Sequence, residues 1–173
     1  MGKGMIIHLI EQELETNLTL DLAKDLLEQN FNASNTVIVT VSTDYSSNVG
    51  QLLRHALSFG GEICDGFGID VPYPDEFWDE RYIGELIKVF DLYKYKLENK
   101  KILFVEAGVI RGYNYKYIQE FLCDHLGITE DVFFLALFEN KNSKFKSDFV
   151  GDYYDNETQD LTFWWEQENN HWT

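Results

Sequence analysis

Hydrophobic residues recur along this chain in two alternating rhythms. Leu22, Ala23, Leu26 and Leu27 share one helical face, for which Thr19 is the predicted N-cap. Thr36 to Val41 (TVIVTV) is a β-branched run suited to a strand buried on both faces, as a parallel sheet requires. Val49, Leu52, Leu53, Ala56 and Leu57 return to helical spacing and stop at Gly60-Gly61. The cycle repeats with a helix through Ile83, Leu86, Ile87 and Phe90, a strand at Ile102 to Val105, and a helix through Tyr117, Ile118, Phe121 and Leu122 closed by Gly127. Val132 to Phe138 (VFFLALF) reads as a third inner strand, followed by a polar stretch and an aromatic segment from Leu161 to Trp165. Between Asp65 and Glu80 the chain is rich in Gly, Pro and acids, with Phe67, Tyr73, Phe77 and Trp78; this is predicted as a long loop or lid.

Such alternation predicts an α/β fold, an open and mainly parallel sheet flanked by helices. The 173 residues suit one domain, and no internal repeat is visible.

Charge narrows the set of partners. Fourteen Lys and Arg against thirty Asp and Glu give a formal net charge of −16, which repels nucleic-acid phosphates and anionic lipid. Direct nucleic-acid and membrane binding are therefore not expected, and the longest apolar run falls far short of the ~20 residues of a membrane span. The cytoplasm is the expected location. Cys64 and Cys123 form no CxxC motif and read as reduced structural residues. His8, His55, His125 and His171 share no zinc-ligand spacing.

Ligands of such sheets bind beyond the carboxyl ends of the strands, here the loops after Val41 and Val105. The second, KKILFVEAGVIRGYNY, delivers Glu106 into a predicted loop before a helix starting near Asn114. Its backbone at Gly108, Arg111, Gly112, Tyr113 and Asn114 is a candidate phosphate cradle, because free amides and a helix N-terminus hold an anion without side-chain charge. The plain alternative is a strand-turn-helix of the kind found throughout α/β proteins. After Val41, the hydroxyls of Thr43, Ser46 and Ser47 could contact a phosphate, although Asp44 has the wrong sign. The competing reading makes Ser47 or Asn48 a helix cap.

The strand ILFVE with its loop and helix resembles the signature of type I phosphoribosyltransferases, in which two acids end a hydrophobic strand ahead of a Thr- and Gly-containing phosphate loop. FKSDFVGDYY followed by TFWWE is similar to the hood of the hypoxanthine-guanine and xanthine-guanine enzymes of purine salvage, and DLYKYKLENKK resembles the lead-in to the signature strand. The similarity runs from about Val89 to Glu166. It implies one domain over 1–173, with a core at about 19–140 and a hood at about 141–173 joined by part of 1–18. It further implies transfer of ribose 5-phosphate from phosphoribosyl pyrophosphate to a base, assisted by Mg²⁺. Glu106 would then lie near the ribose hydroxyls and the metal, reached through ligand or water. Lys141 would contact the base, with Lys144 and Lys146 as register alternatives, and Phe149 would stack on it. Trp164 and Trp165 beside Glu166 would close the hood, and a homodimer would be in keeping with the family.

Departures from the pattern bear on turnover. Ala107 replaces the second acid, and Ile110 stands where purine-specific members place a proton-accepting acid. Arg111 and Asn114 replace the phosphate-contacting hydroxyls, although Arg111 could pair bidentately with phosphate. Three readings remain open: a divergent purine phosphoribosyltransferase, a non-catalytic module for a ribose phosphate, nucleotide or other phosphorylated ligand, and an interaction module using the acidic, aromatic surface from Tyr73 to Trp78.

Overall fold

The computed structural model describes residues 5–72 and 78–169, apart from the side chains of 43–45 and 167–169. In chain order the elements are β1 (Ile6–Ile10), α1 (Gln12–Glu28), β2 (Thr36–Val41), α2 (Thr43–Leu57), β3 (Asp65–Ile69), α3 (Glu80–Leu92), α4 (Lys94–Leu97), β4 (Lys101–Val109), α5 (Tyr113–Leu126), β5 (Val132–Asn140), β6 (Phe149–Tyr154), β7 (Gln159–Phe163) and α6 (Trp164–Asn169). Five strands form one sheet in the order β3-β2-β4-β5-β6, parallel at every pairing. This is the α/β architecture that the alternating pattern predicts.

The sheet carries a core on each face. Leu22 and Leu26 of α1 and Leu53 of α2 pack on Ile38, Leu103 and Leu135, while Leu86 and Phe90 of α3 and Ile118 and Phe121 of α5 pack on Val39, Phe104 and Phe134. Each fully buried side chain of this size contributes about 1.5–3 kcal/mol, so the inner strands are fixed by burial on both sides. At the carboxyl ends of β4 and β5 the alternation breaks at one level. Ala107 lies in the first core and Val109 in the second, and the adjacent Leu137 and Phe138 lie in the same core. Ser46, fully buried on α2, accepts the Ala107 N–H there at 3.0 Å.

β1 and β7 pair in parallel as a separate two-stranded sheet, from Ile6 with Gln159 to Ile10 with Phe163. α6 follows β7, and the buried Glu15 carboxylate of α1 accepts from the Trp164 indole N–H. Trp165 stacks on Phe163 at 5.3 Å, with the ring planes 13° apart. Phe163 lies in the first core, and Leu161 and Trp165 pack against it.

Four expectations change. The first long helix begins at Gln12 rather than at Thr19, whose hydroxyl instead donates to the Glu15 carbonyl one turn earlier at 2.7 Å. α2 begins at Thr43, joined to β2 only through Ser42 at φ 57°, so Ser46, Ser47 and Asn48 are helical and cap nothing. The stretch after Cys64 holds strand β3, and Trp78 packs beside Tyr82 at 5.0 Å and Tyr117 at 5.6 Å. Tyr73 and Phe77, like His171, lie outside the described residues. The signature strand continues through Glu106 to Val109 instead of ending at Val105.

Candidate functional site

A cleft of about 770 Å³ opens beyond the carboxyl ends of β2, β3 and β4, roofed by β7 and the start of α6. Its floor is built by β4 and the turn into α5. Glu106 to Val109 are extended and paired with β5, so the expected cup from Glu106 to Asn114 shrinks to the turn at Ile110, Arg111 and Gly112 and the first residues of α5. Gly108 is thus strand rather than cradle, and it faces the Phe163 ring.

The remaining turn is tightly held. Gly112 sits at φ 81°, and a Cβ there would lie 2.5 Å from Phe145 Cβ and 2.7 Å from Ser143 Oγ. Only glycine meets both demands, the left-handed backbone and the close approach of the loop after β5. Asn140, 2% exposed, donates from Nδ2 to the Ile110 carbonyl at 2.8 Å. Its Oδ1 accepts the backbone N–H groups of Asn142 and Asn156 at 3.2 and 3.3 Å. One side chain therefore ties the turn to the loops after β5 and β6. Sequence reading passed over Asn140; its place at the end of a hydrophobic strand, opposite the Gly-bearing turn, was the available signal.

Gly112 N-caps α5 with no side-chain cap, and the Lys116 N–H closes the first helical bond onto the Gly112 carbonyl at 3.0 Å. The amides of Tyr113, Asn114 and Tyr115 consequently have no acceptor within the helix. This uncapped N-terminus carries the positive end of the α5 dipole into the cleft. Arg111 beside it also lines the cleft.

Glu106 stands at the inner edge of this floor, 9% exposed, and its Oε1 accepts from Asn114 Nδ2 at 3.1 Å. Burial pushes its carboxyl up to about 7, with the Asn114 hydrogen bond opposing the rise. Neighbouring Tyr115 is fully buried and donates to the Leu135 carbonyl; burial, then the nearby Glu106 and Glu139 carboxylates, hold its hydroxyl well above the usual range.

Tyr154, Asp160, Leu161, Phe163 and Glu166 line one side of the cleft. Burial and the Asp160 charge push the Tyr154 hydroxyl up to about 12. Glu166 is raised by burial and accepts the Phe163 N–H at 3.3 Å. Asp70, Val71 and Pro72 line another side after β3. The described residues lining the cleft include four acids, Asp70, Glu106, Asp160 and Glu166, against one base, Arg111.

Several sequence candidates fall outside this arrangement. Phe149 is 8% exposed and packs edge-on against Phe31 at 5.4 Å in the first core. It pairs with Leu135 in the amino-terminal half of β5 and does not line the cleft, so it is not placed to stack on a base held there. Lys141 is an exposed turn residue whose backbone bonds to Tyr154 and Lys146, and its side chain does not line the cleft. Ser46 lines the cleft, but its Oγ is committed to Ala107, and Ser47 does not line it. The Thr43 side chain lies outside the described residues. α2 starts one residue after β2, so no separate loop stands between them.

Among the described residues no three His, Cys, Asp or Glu side chains gather to hold a metal ion. Glu106, already bonded to Asn114, has Ala107 where a second acid is expected. These residues do not build a Mg²⁺ site from protein ligands alone. Cys64 is buried, with its thiol pushed up to about 11 mainly by burial, which disfavours the reactive thiolate; Cys123 is exposed on α5 rather than packed.

No family model and no curated protein sequence matches the chain. Solved structures do. The xanthine-guanine-hypoxanthine phosphoribosyltransferase of Helicobacter pylori is 17% identical, with 97% of each chain covered and a TM-score of 0.67. A purine phosphoribosyltransferase of Pyrococcus horikoshii is 17% identical over 94% of this chain and 95% of its own, at a TM-score of 0.66. A hypothetical protein from Neisseria gonorrhoeae with bound ppGpp is 13% identical over 97% of this chain and 96% of its own, at a TM-score of 0.68. The chain has the type I phosphoribosyltransferase fold. No helix among the described residues is long and apolar enough to cross a membrane.

Proposed function

We propose that this chain binds a nucleoside monophosphate or a related ribose phosphate in the cleft and does not transfer its phosphoribosyl group. The observation that carries the reading is the uncapped N-terminus of α5 behind the left-handed Gly112. Its free amides seat the phosphate, Arg111 flanks it, and Glu106 with Asn114 meets the ribose hydroxyls. Tyr154, Leu161 and Phe163 offer the base an apolar wall. The Neisseria neighbour's bound ppGpp supports a fold able to hold a guanine nucleotide.

Electrostatics favour a monophosphate over phosphoribosyl pyrophosphate. A second phosphorylated end would meet no basic loop after β2 and would enter a cleft with four acids and one arginine. Any Mg²⁺ would arrive on the ligand's own phosphates. Against turnover stand Ala107 and Ile110, neither of which accepts a proton or balances a cationic ribose. A transferase is the second reading, favoured by the placement of the buried Glu106 carboxyl on the cleft floor, where burial pushes it up to about 7, into the range suited to proton exchange near neutrality.

Thermal melting tests the reading. GMP, IMP and AMP at 100 times their dissociation constants stabilise the fold by about 2.7 kcal/mol if the site binds them. No shift with any monophosphate, alongside a shift with phosphoribosyl pyrophosphate and Mg²⁺ and release of pyrophosphate with a base, would replace this reading with the transferase.

A further inference from the structure

The roof of the cleft carries charge that no described residue answers. Asp160 of β7 and Glu166 of α6 both line the cleft, and neither forms an ion pair with a described residue. They also act on each other: burial raises the Glu166 carboxyl, the Phe163 N–H opposes the rise, and the Asp160 charge adds to it. Two carboxylates within reach of each other's field repel, and a positive group placed beside them removes that repulsion.

A second observation points to a ligand at the same wall. Tyr154 is 5% exposed and lines the cleft, yet its hydroxyl has no hydrogen-bond partner among the described residues. A hydroxyl so buried is ordinarily paired, so its partner belongs to what fills the cleft. Phe163 and Leu161 make the rest of the wall apolar.

Resting on the reading that the cleft seats a ribose phosphate at the start of α5, we infer that its preferred ligand carries a cationic base, a pyridinium or N-alkylated ring held beside Asp160 and Glu166 and against Phe163. The chemistry of the wall selects an organic cation. Arg111, the one basic residue among the described residues of the lining, stands on the floor at the phosphate end and leaves the roof's acids unanswered. A hard dication such as Mg²⁺ takes about six oxygens, and no three His, Cys, Asp or Glu side chains gather among the described residues. Carboxylates beside an aromatic ring suit a diffuse organic cation instead. A neutral purine monophosphate still binds through its phosphate and ribose; the charge of the base sets the preference.

Oxidised and reduced nicotinamide mononucleotide isolate that charge, because they share phosphate, ribose and carboxamide and differ by one hydride, which removes the positive charge of the ring. In calorimetric titration of the full chain without divalent metal, the oxidised form should bind about tenfold tighter, since exposed and half-buried charges each contribute modestly. The ratio should shrink as salt is added. Asp160→Asn combined with Glu166→Gln should bring it close to one by weakening the oxidised form alone; both replacements keep the side-chain shape, and the glutamine can still accept the Phe163 N–H. Glu157→Gln, an exposed acid that does not line the cleft, should leave the ratio as in the wild type. If GMP binds while the two forms bind equally, or if the ratio survives the double replacement, the inference falls and the reading of the cleft stands. If neither GMP nor either form binds, that reading falls with it.

Discussion

Replacing Gly112 with alanine attacks the proposed phosphate cradle at its most constrained point. Two costs are separable. A non-glycine residue in the left-handed region gives up about 1–2 kcal/mol. The new Cβ also falls 2.5 Å from Phe145 Cβ, 2.7 Å from Ser143 Oγ and 3.1 Å from the Phe145 backbone nitrogen, and moving backbone and packed atoms costs about 1–3 kcal/mol more. The expected loss is about 2–5 kcal/mol, which for a chain of this length lowers Tm by roughly 4–20 °C. Gly127→Ala supplies the control. Gly127 closes the same helix at φ 64° with nothing within 4 Å of its Cβ position, so only the backbone cost applies. Thermal and denaturant melts of both variants, with GMP titrated into each, measure the difference. Gly112→Ala should be the less stable of the two and should lose nucleotide binding at temperatures where it remains folded. Equal losses at 112 and 127 would refute the claim that the loop after β5 presses on the cradle.

Other expectations follow from single contacts. Glu106 has its carboxyl raised above the ordinary 4.5 to about 7 by burial, so the folded state keeps a proton that the unfolded chain has released, and stability falls as pH climbs between those values. Glu106→Gln should therefore gain on the wild type as pH rises through 7, by on the order of 3 kcal/mol; a stability difference flat across that range in chemical denaturation contradicts the assignment. Ser46→Ala orphans the buried Ala107 N–H and should cost about 1–3 kcal/mol in urea unfolding, whereas Ser47→Ala should cost little. Asn140→Ala frees the Ile110 carbonyl and two loop amides at once, and should weaken nucleotide affinity at least tenfold, about 1.4 kcal/mol, in calorimetric titration. Unchanged affinity in that variant would mean that the cradle holds its shape without Asn140.

The inner sheet was legible because burial on both faces leaves an unmistakable residue pattern: TVIVTV, ILFV and VFFLALF are strands β2, β4 and β5. Gly127, at φ 64°, closes its helix where the sequence places the stop. Elements whose partners are remote in sequence were harder to read. Thr19 has the chemistry of a cap, but its helix starts at Gln12, and Glu15 is drawn inside by an indole 149 positions away. β3 sits at the sheet edge, and its DGFGI lacks the apolar density of an inner strand. Phe149 looked like a stacking residue because an aromatic next to a turn can face either way; contact with Phe31 turns it inward. In the site, Glu106 and the Gly112 turn were visible as a strand end and a glycine, while the clamp by Asn140 required the three-dimensional meeting of two loops.

On the proposed reading of a binder without turnover, the single residue between β2 and α2 bears on any attempt to give this scaffold transferase chemistry. Because Ser42 alone makes the join, a chain segment able to wrap a diphosphate cannot be obtained there by exchanging side chains, and restoring an acid at Ala107 would still leave the leaving group unheld. Evolution or design toward turnover would have to lengthen the backbone between Val41 and Thr43, an insertion that unseats the first turn of α2 and, with it, the Ser46 contact that fixes the floor of the cleft.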